Sequence, residues 1–204
     1  MNSLATVSGV SRIIAGSAKG HRIVAPAHLL TRPTTDRVRE ALFSALESWF
    51  WTEEAGEVLR GRSFLDLYAG SGGVGLEAAS RGAEPVWMVE ADRRTADLIR
   101  ANARATHLSV VVRTGRVEQV VQAGPESGVG FEVVWLDPPY DVAEDVLTWV
   151  LQELVTHGWV VPAGLVVVER ARRSPAPVWP LAVEQAWARR YGETTLHFAE
   201  LEES

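Results

Sequence analysis

Cysteine is absent from all 204 residues, which excludes disulfides, iron–sulfur clusters and thiolate zinc sites. Histidine is sparse: His21, His28, His107, His157 and His197 are scattered without ligand spacing, so no metal is expected. Long apolar runs are missing too. The longest, 158–168, is interrupted by Pro162 and falls well short of the roughly 20 residues that a membrane-spanning helix needs. Met1, Asn2 and Ser3 open a stretch without the basic region and apolar run of a secretory signal, so a cytoplasmic location and no membrane partner are expected. No internal repeat or low-complexity segment of functional weight is found.

What remains is ordinary globular material, 47% apolar and 23% charged, long enough for one α/β domain with a small extension but hardly for two large ones. Its charge is uneven. Of the net −6, residues 1–46 contribute +4, from Arg12, Lys19, Arg22, Arg32, Arg37 and Arg39 against Asp36 and Glu40; the rest therefore carries −10. A basic N-terminal part on an acidic body suggests an anionic partner met by that part, or simply a solvated surface.

The most informative stretch is Leu65-Asp66-Leu67-Tyr68-Ala69-Gly70-Ser71-Gly72-Gly73-Val74-Gly75-Leu76, an apolar run that breaks into glycines and restarts as a helix. Glycine allows positive φ and close approach of backbone to a ligand, and the open N–H groups of a helix start favour oxygen-rich ligands. Gly70, Gly72 and Gly75 have dinucleotide-fingerprint spacing, and Glu90 follows Gly70 by 20 residues, where an acidic side chain meets ribose hydroxyls. The pattern alone leaves NAD and other adenosyl ligands open.

After this turn, strand and helix alternate. The helix should stop at Gly82; 85–89 reads as a strand ending in Glu90, 92–105 as a helix, 109–113 as a strand, 116–121 as a short helix, 131–136 as a strand, 143–157 as a helix and 165–169 as a strand. Residues 183–191 and 193–200 then read as a closing hairpin about Gly192. The alternation predicts a Rossmann-like, doubly wound, mostly parallel α/β sheet with ligands at the strand C-terminal ends.

Before the turn, 1–10 reads as a frayed tail, and 12–16 and 20–26 as a small hairpin with Lys19 and Arg22 at or beside its tip, where they can touch a phosphate backbone or merely decorate an edge. Pro33 disfavours helix at Arg32, Thr35 or Asp36 can cap a helix starting there, and apolar residues at 38, 41, 42, 45, 46 and 49 mark one helical face. Arg37 lies off that stripe, and Arg32, ahead of the cap, can point at a ligand. Residues 51–62 read as a connector, which divides the chain into an extension over 1–50 and a main domain over 51–204.

A second segment, Asp137-Pro138-Pro139-Tyr140, comes directly after a buried-looking strand. Its two prolines bring no N–H, so it offers carbonyl oxygens, a carboxylate and an aromatic face at a strand C-terminal end. That set suits a planar base with an exocyclic amine: Tyr140 stacks, while Asp137 and the Pro138 carbonyl accept from the amine. Hydrogen bonds from both amine N–H groups favour a more pyramidal nitrogen, whose lone pair can reach an electrophilic methyl. Adenine, cytosine and guanine amines all fit this chemistry.

Taken in order, 66–75, Glu90 and 137–140 resemble the S-adenosylmethionine-dependent amino-methyltransferases. The segment Arg32-Pro33-Thr34-Thr35-Asp36-Arg37-Val38-Arg39-Glu40-Ala41-Leu42-Phe43 behind a hairpin is similar to the RsmD-type enzymes, and the resemblance runs from about 12 to 198. It implies a class I methyltransferase with a seven-stranded sheet, S-adenosylmethionine as cofactor, and the N2 amine of a guanine in 16S ribosomal RNA as acceptor. The RNA would be met within a small ribosomal subunit or an assembly intermediate, by a monomer. The resemblance assigns cofactor binding to Asp66, Tyr68, Gly70, Gly72, Gly75 and Glu90, and amine handling to Asp137, Pro138, Pro139 and Tyr140. It leaves Arg32 and Arg37, with Lys19 and Arg22, for RNA or the cofactor carboxylate. One departure stands out: Gly115-Arg116-Val117 offers no acidic residue for the adenine amine, so a backbone contact around Arg116 or Val117 is expected instead. A methyltransferase for another base amine is the alternative, and a nicotinamide-dependent oxidoreductase the distant one.

Overall fold

The computed structural model describes residues 7–26, 36–50 and 58–203. In chain order the elements are β1 (Val7–Arg12), β2 (Arg22–Pro26), α1 (Asp36–Phe50), β3 (Phe64–Leu67), α2 (Gly73–Ser80), β4 (Val86–Glu90), α3 (Arg93–Ala105), β5 (Val111–Thr114), α4 (Val117–Ala123), β6 (Phe131–Leu136), α5 (Glu144–Thr156), β7 (Val160–Ala171), β8 (Val183–Tyr191) and β9 (Thr194–Leu201). β1 and β2 pair antiparallel; the other seven strands form one sheet in the order β5-β4-β3-β6-β7-β9-β8. Strands β3 to β7 pair in parallel, and β9 lies antiparallel to both β7 and β8. The winding reverses between β3 and β6, so a crevice opens there at their C-terminal ends.

Alternation along the strands builds two cores. Phe64, Met88, Val133, Trp135, Val167 and Phe198 point to the face covered by α1, α2 and α3, whereas Leu65, Val89, Val134, Leu136, Val166 and Val168 point to that covered by α4 and α5. The N-terminal extension is not a separate body. Ile13, Ala18, Ile23, Val38, Leu42, Phe43 and Leu46 belong to the first of these cores, so the expected boundary near residue 50 divides the chain but not the packing.

Two boundaries differ from the sequence reading. β1 begins at Val7, inside the expected tail, and 13–21 forms the connecting loop. This loop is held by helix α2: Glu77 accepts the N–H groups of Ile14 (2.7 Å) and Ala15 (2.9 Å), and Ser80 Oγ accepts that of Ala18 (2.9 Å). Gly16 permits this close approach, since a Cβ there would fall 1.8 Å from the Ser80 carbonyl oxygen. β7 is also longer than expected, because Pro162 and Gly164 mark a bulge rather than an end. Phe131 pairs with Val160 and Val133 with Leu165, so β7 accommodates extra residues between two ladder positions.

Candidate active site

The glycine turn leaves the end of β3, flanked on both sides by parallel strands. Asp66 stands level with Met88 on β4 and Trp135 on β6 and is 1% exposed. Its Oδ2 accepts the Gly75 N–H at 2.8 Å, closing the turn from strand to helix. Burial pushes the Asp66 carboxyl up to about 8 despite that bond, and the nearby Asp137 and Glu90 charges add to the effect. Gly75 has a packing role: a Cβ there would lie 2.4 Å from Met88 Sδ. Gly70 (φ +55°) and Gly72 (φ +81°) take the left-handed conformation that the turn requires.

Glu90 ends β4 beside the turn. Its Oε2 accepts the Gly70 N–H at 2.9 Å and its Oε1 the Asp92 N–H at 2.8 Å, while burial outweighs these bonds and raises its pKa. A carboxylate has about four lone-pair sites, so Glu90 can still accept from two hydroxyls. Tyr68, between β3 and the glycines, holds φ at +64°, uncommon for a bulky residue, and its buried hydroxyl has no hydrogen-bond partner among the described residues. Burial and the Glu118 charge keep that phenol protonated, with Arg116 acting the other way.

At the start of α4, Arg116 is exposed and pairs with Glu118 at 3.4 Å, and the Val117 side chain is buried in the second core. Val117 therefore offers the crevice only its backbone. Gly115 donates its N–H to the Glu90 carbonyl at 3.0 Å and thereby ties this end of β5 to β4.

From β6 comes the Asp-Pro-Pro-Tyr segment. Asp137 is half-buried and close enough to Asp66 to act on its ionisation; Pro138 is buried, Pro139 is exposed, and Tyr140 is 71% exposed. Asp66, Glu90 and Asp137 thus bring three carboxyl groups to the ends of three neighbouring strands, with an aromatic plate at the rim.

The basic residues expected at the site are not gathered there. Lys19 and Arg22 are exposed, in or next to the loop that docks on the last residues of α2, whereas the glycine turn enters the first. Arg37 is exposed in the first turn of α1, and Arg32 lies outside the described residues. Sequence reasoning passed over Arg39. It is 2% exposed and donates to Ser11 Oγ (2.8 Å), the Arg12 carbonyl (2.8 Å) and Asp36 (2.7 Å), and its Nη1 would stand 3.0 Å from a Cβ at Gly73. Its place three and four residues before Leu42 and Phe43 was the available signal. Glu77 was also missed; it is fully buried and paired with Arg81 Nε at 2.9 Å.

A cavity of about 540 Å³ lined by Trp49, Phe50, Arg62 and Glu132 opens at the other end of the sheet, where β6 and β7 begin. Arg62 stacks on Phe50 and pairs with Glu132 at 2.7 Å, so its charged groups are mutually engaged. Among the described residues no helix is long and apolar enough to cross a membrane, and no three acidic or histidine side chains cluster as metal ligands.

Residues 11–200 match the family described as conserved hypothetical protein 95. The ribosomal RNA small subunit methyltransferase D of Haemophilus influenzae is 32% identical over 173 residues, which cover 82% of this chain and 82% of that protein. YlbH of Bacillus subtilis is 33% identical over 168 residues, 81% of this chain and 85% of YlbH. The solved structure of the Escherichia coli protein yhhF has a TM-score of 0.80 at 27% identity and covers 96% of this chain and 100% of its own. Sequence match and sheet order agree: the chain belongs to this family, the RsmD-type methyltransferases, and has the class I methyltransferase fold.

Proposed function

We propose that this protein transfers a methyl group from S-adenosylmethionine to the exocyclic N2 amine of a guanine in 16S ribosomal RNA. Family membership and the name of the Haemophilus influenzae relative support the reaction class and the RNA. The observation that carries the reading is the convergence of Asp66, Glu90 and Asp137 beside an Asp-Pro-Pro-Tyr segment. Three carboxyl groups around a nucleotide-type turn favour a cationic ligand and disfavour a pyrophosphate, which weighs against a nicotinamide dinucleotide.

The residues present fit this cofactor. When bound, S-adenosylmethionine supplies an electrophilic methyl on a positively charged sulfur. Glu90 accepts from the ribose hydroxyls with the lone pairs left by Gly70 and Asp92. The Tyr68 hydroxyl, without a partner among the described residues, and the backbone at Val117 would be available to the adenine. The open N–H groups at the start of α2, with the Arg39 guanidinium against Gly73, hold the carboxylate. Asp66 supplies negative charge under the turn and gives up its proton when a cation binds.

Tyr140 stacks on the guanine, and Asp137 and the Pro138 carbonyl accept its two amine N–H bonds. They would aim the nitrogen lone pair at the methyl that a bound S-adenosylmethionine would supply, the sulfonium sulfur being the leaving group as the nitrogen takes the methyl. Asp137 stabilises the cationic amine, whose proton then leaves to Asp137 or to solvent. Arg37, exposed in the first turn of α1, meets RNA phosphate. The RNA is met within a small subunit or its assembly intermediate, by a monomer. Incubation of unmethylated small subunits with labelled cofactor, followed by nucleoside analysis, tests the assignment: label in N2-methylguanosine is expected.

A further inference from the structure

The outer strands of the sheet carry a segregated charge that the site itself does not use. Arg189 and Arg190 close β8, and Arg172 and Arg173 come directly after β7; all four are exposed. The register groups them at one end. Arg190 pairs across to Thr195, which pairs to Arg170, and the Arg172 N–H is bonded to the Glu193 carbonyl at 2.7 Å. At the opposite end of the same hairpin the charge reverses, with Glu184, Glu200, Glu202 and Glu203 around the paired Val183 and Leu201.

The basic end is the site end. Leu136 pairs with Val168, so β6 and β7 leave the sheet side by side, one toward Asp137 and Tyr140, the other toward Arg172 and Arg173. Within this cluster Arg170 is committed to Glu144, and Arg172 reaches Glu193 only at 3.9 Å. Among the described residues no carboxylate lies within ion-pair distance of Arg173, Arg189 or Arg190. In a chain whose residues past 46 carry −10, four exposed arginines beside the base site form a local exception. The basic loop at Lys19, by contrast, is docked at the far end of α2.

We propose that Arg172, Arg173, Arg189 and Arg190 form a docking surface for the RNA phosphate backbone flanking the target base. The proposal rests on RNA being the substrate, as in the preceding reading. Guanidinium groups bind phosphate in a bidentate manner, and each phosphate they neutralise releases counterions, so the surface should appear in the salt dependence of binding. Tyr140 then reads the base, and the arginines hold the strand on which it sits.

The test compares wild type with R172Q/R173Q, R189Q/R190Q, the four-fold variant and R104Q, which removes an exposed charge from the last turn of α3. Binding to a 16S RNA fragment is measured from low to high salt, cofactor affinity by calorimetry, and methyl transfer to small subunits under saturation. The expected result is a slope of log K against log salt reduced by roughly 0.7–0.9 for each phosphate no longer neutralised, with affinity down about tenfold or more for the four-fold variant. KM should rise, while kcat, cofactor affinity and the R104Q variant stay near wild type. A wild-type slope in the four-fold variant overturns the surface even if methyl transfer proceeds. Loss of slope in a protein that transfers no methyl keeps the surface and overturns the reaction. No RNA binding by wild type overturns both.

Discussion

The two ends of helix α2 use buried charge in opposite ways. At its last residues Glu77 is fully buried but saturated, by Arg81 and by the backbone N–H groups of Ile14 and Ala15. At its first residues Asp66 is just as buried, holds one backbone N–H, and has other carboxylates for neighbours. The lower end is a finished structural joint. The upper end crowds carboxyl groups whose ionisation a cation favours, which marks it as the working end.

Breaking the joint should have the largest effect. Glu77→Ala leaves the buried Arg81 guanidinium with Glu47 (3.2 Å) as its remaining carboxylate and leaves two backbone N–H donors without their acceptor, and should lower stability by about 3–5 kcal/mol, read as a large drop in Tm or denaturation midpoint. Loss of only a few tenths would erase the contrast between the two ends. Asp137→Ala acts on chemistry instead: turnover should fall on the order of 10²–10³-fold, with cofactor affinity in calorimetry nearly unchanged. Wild-type turnover in that variant removes Asp137 from its assigned role.

Glu90→Ala sharpens the comparison from the cofactor side. It should weaken S-adenosylmethionine roughly 10- to 100-fold and leave RNA affinity alone, since two charge-assisted hydrogen bonds are removed. Equal losses for both ligands would point to collapse of the turn. Asp66 should impose a pH dependence. Its carboxyl, raised from 3.8 to about 8 in the fold, binds a proton more tightly than in the unfolded chain, so its contribution to stability is complete below about pH 4 and is lost as pH rises through about 8. Stability of the cofactor-free protein should therefore decline across that window, and Asp66→Asn should flatten the decline. Cofactor binding near pH 7 should release a proton, seen as a binding enthalpy that depends on the buffer.

The upper end was legible in the sequence because its parts are local. Gly70, Gly72 and Gly75 announce a turn by spacing, Glu90 falls at a fixed offset, and Asp137-Pro138-Pro139-Tyr140 is contiguous chemistry at a strand end. The seven-strand order agrees with the alternation and the closing hairpin about Gly192. The lower end was not legible, because Glu77 meets Ile14 and Ala15 more than 60 residues away, and nothing around Glu77 separates it from a solvated helix charge. For Arg39 the spacing to Leu42 and Phe43 hinted at burial, but its partners Ser11 and Arg12 lie on another element. The docking of the 13–21 loop, and with it the distance of Lys19 from the glycine turn, depends on those tertiary bonds. Pro162 and Gly164 misled more locally, since a strand break and a bulge use the same residues.

The most direct test of the working end is methyl transfer from labelled S-adenosylmethionine to small ribosomal subunits lacking the modification, with digestion of the 16S RNA to nucleosides. The account predicts label in N2-methylguanosine with wild type and almost none with Asp137→Ala. Label in a methylated adenosine or cytidine, or none from a folded wild-type protein that binds the cofactor, would contradict it.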